Sequence, residues 1–137
     1  MNYGRVVLGG LLAGLVLNIG EFLLNGVLLA KQMQEFFAKC GLTPPASSAF
    51  VILIVITFVL GIVIVFIYAA IRPRCGAGPK TAVTAGIIAW FCVYLYNNVV
   101  GAALGFVPVN LLLIAIAWGL VEYVLAAIAG AWLYKEP

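Results

Sequence analysis

Apolar residues run through this chain in four long blocks, and the few polar residues inside them recur at helical spacing. The blocks cover about 6–30, 48–71, 81–104 and 108–134. A helix needs about 20 mostly apolar residues to cross a hydrocarbon core of roughly 30 Å, and each block reaches that length. In lipid, backbone N–H and C=O groups must be satisfied within the segment, so each block is predicted to be a helix. The expected fold is all-α: a four-helix transmembrane bundle forming one integral membrane domain over residues 1–137.

The links refine this picture. "RPRCGAGPK" carries three cations and no anion, and Pro73 with the glycines after it is expected to stop the second helix. "GFVP" is uncharged and short enough only for a hairpin, and Pro108 suits a first helical turn. The longest link, "KQMQEFFAKCGLTPPASS", opens with an amphipathic run. Met33, Phe36, Phe37 and Cys40 share one face, and Lys31, Gln32, Gln34, Glu35 and Lys39 fall elsewhere. Gly41 is placed to cap it, Pro44 and Pro45 forbid continuation, and Ser47 or Ser48 is placed to cap the next helix. An interfacial helical extension after the first span is therefore expected.

Composition agrees with the pattern. Only 8% of residues are charged, against about a quarter in soluble domains, so the chain could not cover a water-facing surface. There is no histidine and no aspartate, and the serines are confined to Ser47 and Ser48. That removes the usual metal ligand and general base, so no metal site, no cofactor and no catalytic residue is expected. Cys40, Cys75 and Cys92 contain no C-x-x-C spacing. On the topology that the cations give, they fall outside, inside and within the membrane, which excludes pairing within one chain.

Lys and Arg give the direction. Arg5, Arg72, Arg74, Lys80 and Lys135 would share one side, with Lys31 and Lys39 on the other. Cytoplasmic segments carry the excess of cations, so both termini are expected to be cytoplasmic in a multi-pass protein of a prokaryotic inner membrane. Trp132, Tyr134 and Tyr68 then fall near the inner interface. The first apolar run is too long for a signal peptide and no A-x-A-like site comes after it, so it is expected to be retained.

The polar positions inside the spans form a seam. In the first span Gly10, Gly14, Asn18, Glu21 and Asn25 step by four, four, three and four residues, along one face. In the fourth, Ala115, Gly119, Glu122, Ala126 and Gly130 surround one carboxylate with small residues. In the third, Gly86, Trp90, Tyr94, Asn97 and Gly101 share a face, with Asn98 beside it. The second offers only Thr57, Gly61 and Tyr68, and is expected to face mainly lipid. Gly10, Gly14, Gly86, Gly101, Gly119 and Gly130 are the expected helix-packing positions. Glu21, Glu122, Asn18, Asn25, Asn97 and Asn98 are expected to form one intramembrane polar cluster, in which a neutral acid donates to an asparagine. Such a bond is ordinary helix-to-helix support, whereas an intramembrane acid with no cation beside it is also what a proton pathway uses.

The start "MNYGRVV", the amphipathic "KQMQEFFAKCG", "LYNNVVG" late in the third span and the closing "AGAWLY" resemble an uncharacterised family of small bacterial and archaeal four-span membrane proteins. That resemblance implies the four-span fold and no activity. The chain departs from it in the first span, which reads "GEFLLNG" where the family often has an aromatic-Ser-Pro break. "LGGLLAG" ahead of Glu21 is also similar to small multidrug exporters, but the clear charge bias and a second glutamate in the fourth span limit that to an analogy of function.

Two functions remain. The expected one is a non-enzymatic membrane subunit or scaffold, packed through its small-residue faces as a homo-oligomer or within a larger membrane complex. The alternative is a small homo-oligomeric proton- or cation-coupled transporter or channel that uses Glu21 and Glu122. Both take the lipid bilayer as partner, and neither involves nucleic acid.

Overall fold

A computed structural model describes residues 1–135; the last two residues of the expected 1–137 domain lie outside the described residues. The described chain is helical, without strands among the described residues. Helix α1 (Tyr3–Glu21) runs on into a π-helical segment, Phe22–Leu28. The short α2 (Ala30–Lys39) comes next, then α3 (Ser47–Cys75). Helix α4 (Pro79–Ala89) passes through a second π-helical segment, Trp90–Leu95, into α5 (Tyr96–Ala103), and α6 (Val109–Leu133) closes the chain. Four stretches, Tyr3–Leu28, Ser47–Cys75, Pro79–Ala103 and Val109–Leu133, are long and apolar enough to cross a membrane.

Two caps differ from the sequence expectation. Helix α3 continues through Pro73 and stops at Gly76, whose φ of 82° no other residue takes easily and whose N–H returns to the Arg72 carbonyl at 2.9 Å. A proline costs an internal hydrogen bond, but in the last turn the structure absorbs that loss, so glycine is the stop. At the other end the N-cap is Ala46, and Ser47 and Ser48 are the first helical residues, with no side-chain cap. After α2, Gly41 sits at φ 64° while Leu42 N–H donates to the Phe37 carbonyl at 2.9 Å, the closing bond of a Schellman motif. Gly105 (φ 80°) and Phe106 N–H to the Gly101 carbonyl, 2.8 Å, repeat that motif in the hairpin before α6, where Pro108 is the N-cap.

Glycines set how the helices meet. A Cβ at Gly61 of α3 would lie 2.6 Å from the Gly14 Cα of α1, so the two backbones touch there with no side chain between. Gly9 of α1 meets the Gly130 carbonyl of α6 in the same way, and Gly86 of α4 lies against the backbone of Tyr123 and Val124. Helix α6 thus packs against both α1 and α4, and α3 closes on α1.

Burial is uneven along the helices. Buried residues gather toward the end that holds the termini and the α3–α4 link: Val6 to Leu17, Gly61 to Ala69, Thr81 to Ala89 and Gly119 to Gly130. Toward the other end α5 has no buried residue, and Phe50 to Ile56 of α3 are all exposed. The helices therefore bury most of their surface at one end and less at the other, where Leu24 and Leu29 are the buried residues. Lipid covers such a surface as readily as protein does.

Candidate functional site

The two acids inside the spans lie where the more buried half ends. Glu21 is the last residue of α1, and the π-helical segment begins immediately after it. A π-turn widens the helix and is common at functional sites. In this widened turn Asn25 Nδ2 donates to Glu21 Oε2 at 2.7 Å and to the Glu21 carbonyl at 3.2 Å. Glu21 is half-buried and Asn25 exposed.

Glu122 is placed differently. It lies mid-way along α6, is 5% exposed, and neither of its carboxyl oxygens has a hydrogen-bond partner among the described residues. Trp118 lies one turn earlier on the same helix, but its indole N–H donates to the Gly20 carbonyl of α1 at 3.2 Å. Gly20 explains how the carboxyl fits. A Cβ there would come within 2.7 Å of Glu122 Cγ and 2.9 Å of Oε1, so the missing side chain is the room the carboxyl occupies.

Two tyrosines complete the surroundings. Tyr94, in the second π-helical segment, lies across Gly119, where a Cβ would sit 2.5 Å from its ring. Its ring meets that of Tyr123 edge-on, centroids 5.6 Å apart. Both tyrosines lie within electrostatic reach of Glu21 and Glu122, and the two acids within reach of each other. No cation is found in these helices between Arg5 and Lys31, or anywhere in α6. The site is thus two carboxyls without a balancing base, walled by Trp118, Tyr94 and Tyr123. No group of three His, Cys, Asp or Glu suited to a metal ion occurs among the described residues.

The asparagines expected in this cluster are not gathered into it, Asn25 excepted. Asn18 donates to the Gly14 carbonyl at 2.9 Å and across to the Ile54 carbonyl of α3 at 3.4 Å. Asn97 donates to Val93 (2.6 Å) and Asn98 to Tyr94 (2.9 Å), each folding back on its own helix. The cause is the π-helical segment at Trp90–Leu95. An α-helix advances about 100° per residue, and an extra residue in a turn rotates the rest of the helix by about that angle. Tyr94, inside the segment, still lies against Gly119, while Asn97, beyond it, is exposed and Gly101 meets only Val107 of its own hairpin, at 3.5 Å from a Cβ. Of the other expected packing positions, Gly10 and Gly14 lie against Ile62 and Phe58, Gly86 against α6, Gly119 against Tyr94 and Gly130 against Val65. Gly9, Gly20 and Tyr123 carry as much of this geometry and stand out in the sequence only as neighbours of marked positions. No protein-family model, no curated protein and no solved structure matches the chain.

Proposed function

We propose that this integral membrane protein is non-enzymatic and uses Glu21 and Glu122 to take up and release a proton or small cation, as a homo-oligomer in a prokaryotic inner membrane with both termini cytoplasmic. The observation that carries this reading is the Glu122 carboxyl, buried with both oxygens unpartnered and within reach of Glu21. An acid kept only to hold helices together is kept by its hydrogen bond, because a buried polar group without a partner costs about 1–3 kcal/mol. Among the described residues Glu122 makes no hydrogen bond to another helix, and the glycine contacts bring the helices together without one. Two carboxyls in mutual reach and without a base bind one positive charge between them more readily than they stay doubly ionised. Four spans enclose little space, and the more exposed outer ends of the helices leave Glu21 half-buried, which is why more than one copy is invoked.

The scaffold reading keeps one observation in its favour. Asn97, exposed at membrane depth, is a polar group that a protein neighbour would cover better than lipid. The test is proton flux into proteoliposomes under a pH gradient, comparing wild type with Glu122→Gln at matched incorporation. Flux that depends on the acid supports the proposal. A wild-type protein that moves no proton or alkali cation, and co-purifies with one stoichiometric partner, would favour the scaffold.

A further inference from the structure

The opposite, more buried end of the molecule carries an apolar groove away from the acid pair. Tyr68 of α3, Pro79 and Ala82 of α4, and Ile128, Ala131 and Trp132 of α6 wall an apolar groove of about 240 Å³. Trp132 is 74% exposed on its outer edge. Indole rings favour the headgroup level of a bilayer, which places the mouth of the groove there.

Among the described residues, charge at that end has one sign. Lys80 follows Pro79 directly and is exposed, as are Arg74 in the last turn of α3 and Lys135 just past α6. Arg5 and Arg72 belong to the same end, and no acid among the described residues lies there. Inside, the Tyr68 hydroxyl is buried and accepts the Gly78 N–H at 3.3 Å. No acceptor for the hydrogen of Tyr68 itself is found among the described residues. A tyrosine hydroxyl that already accepts still has one hydrogen to give.

An apolar slot, a cationic rim and one unused donor at the border between them match a molecule with a hydrocarbon chain and an anionic head. We propose that the groove between α4 and α6 binds an anionic phospholipid. One acyl chain lies along Ala82, Ile128 and Ala131, and the phosphate meets Lys80 and Arg74, with the Tyr68 hydrogen directed toward its oxygens. Trp132 covers the glycerol region. The site is separate from the acid pair and does not depend on the transport reading.

The full chain in detergent is titrated with dioleoyl phosphatidylglycerol, with dioleoyl phosphatidylcholine, and with glycerol phosphate, and bound ligand is read by native mass spectrometry. Phosphatidylglycerol is expected to bind one to one, and phosphatidylcholine and glycerol phosphate more weakly. Lys80→Gln, at an exposed position, should weaken phosphatidylglycerol by about fivefold, the weight of one surface cation. Ile128→Trp, which fills the groove from its partly exposed side, should remove the adduct while leaving circular dichroism unchanged. Equal binding of phosphatidylcholine would overturn the proposal, as would glycerol phosphate competing on equal terms. So would phosphatidylglycerol binding that survives both substitutions.

Discussion

Trp118 of α6 donates its indole N–H to the Gly20 carbonyl of α1 at 3.2 Å, and one turn further along α6 the Glu122 carboxyl occupies the space that a side chain on Gly20 would fill. Glu122, with no hydrogen bond to another helix among the described residues, is thus fitted against α1 by a neighbouring tryptophan and a missing methyl group. Its position is specified by shape, which makes the site testable through Gly20.

Gly20→Ala places a methyl group on the Glu122 side chain. Overpacking of this kind costs about 1–3 kcal/mol. In Glu122→Ala the same added methyl has room, so the double variant should recover most of that loss. Unfolding of the four proteins in mixed micelles gives the coupling energy directly. Additive effects would mean that Gly20 and Glu122 do not share the space assigned to them.

The sign of a second substitution is set by the missing partners. An acid bonded to an asparagine would be harmed by leucine. Glu122 has no such bond, so Glu122→Leu should stabilise the fold by about 1 kcal/mol, by removing an unsatisfied buried group. Glu122→Gln keeps a polar group in the same place and should leave stability nearly unchanged. A marked loss in the leucine variant would show that the carboxyl has a partner in the membrane.

These outcomes turn on how much a sequence pattern can carry. Four spans are legible because hydropathy and length decide them, and α2 with its Gly41 cap because the apolar spacing and the glycine agree. Glu21 and Glu122 stand out because charge inside an apolar run is rare. The faces beyond Glu21 and beyond Trp90 are not legible. Periodicity assumes a uniform helix, and a π-helical segment resets the phase, so Tyr94 keeps the face that the spacing gives it while Asn97 and Gly101, beyond the segment, turn away from the site. Gly20 is legible only in three dimensions, since its importance lies in what faces it across the α1–α6 contact.

Glycines separate into those that meet backbone and those that meet nothing close. Gly61→Ala would drive a methyl into the backbone of Gly10 and Gly14, where neither side can yield cheaply, and should cost near the top of about 1–3 kcal/mol. Gly101→Ala has only Val107 nearby and should be neutral or stabilising by up to about 1 kcal/mol through the better helix former. Denaturation midpoints of the two variants are expected on opposite sides of, or one below and one equal to, the wild type.

Orientation is open to direct chemistry because Cys40, at the end of α2, and Cys75, at the end of α3, are both exposed. With both termini cytoplasmic, an impermeant maleimide added to intact cells should modify a variant retaining only Cys40 and spare one retaining only Cys75. Permeabilisation should then expose Cys75. Labelling of Cys75 in intact cells would invert the topology and put the cationic groove on the outer leaflet.

Glu21 separates the two functions. Its carboxylate accepts from Asn25 at 2.7 Å within one helix, so that bond ties no two helices together. If Glu21 serves only structure, Glu21→Gln keeps an oxygen for Asn25, and any phenotype should track protein abundance. If it exchanges a proton, glutamine cannot, and activity should vanish while abundance and oligomeric state persist. The second outcome is expected, because a bond confined to one turn gives Glu21 little structural work to do. The comparison is proton uptake per incorporated protein for wild type, Glu21→Gln and Asn25→Ala. Asn25→Ala keeps the acid and should retain part of the flux. A flux that falls only in proportion to protein abundance across these variants would return Glu21 to a supporting role.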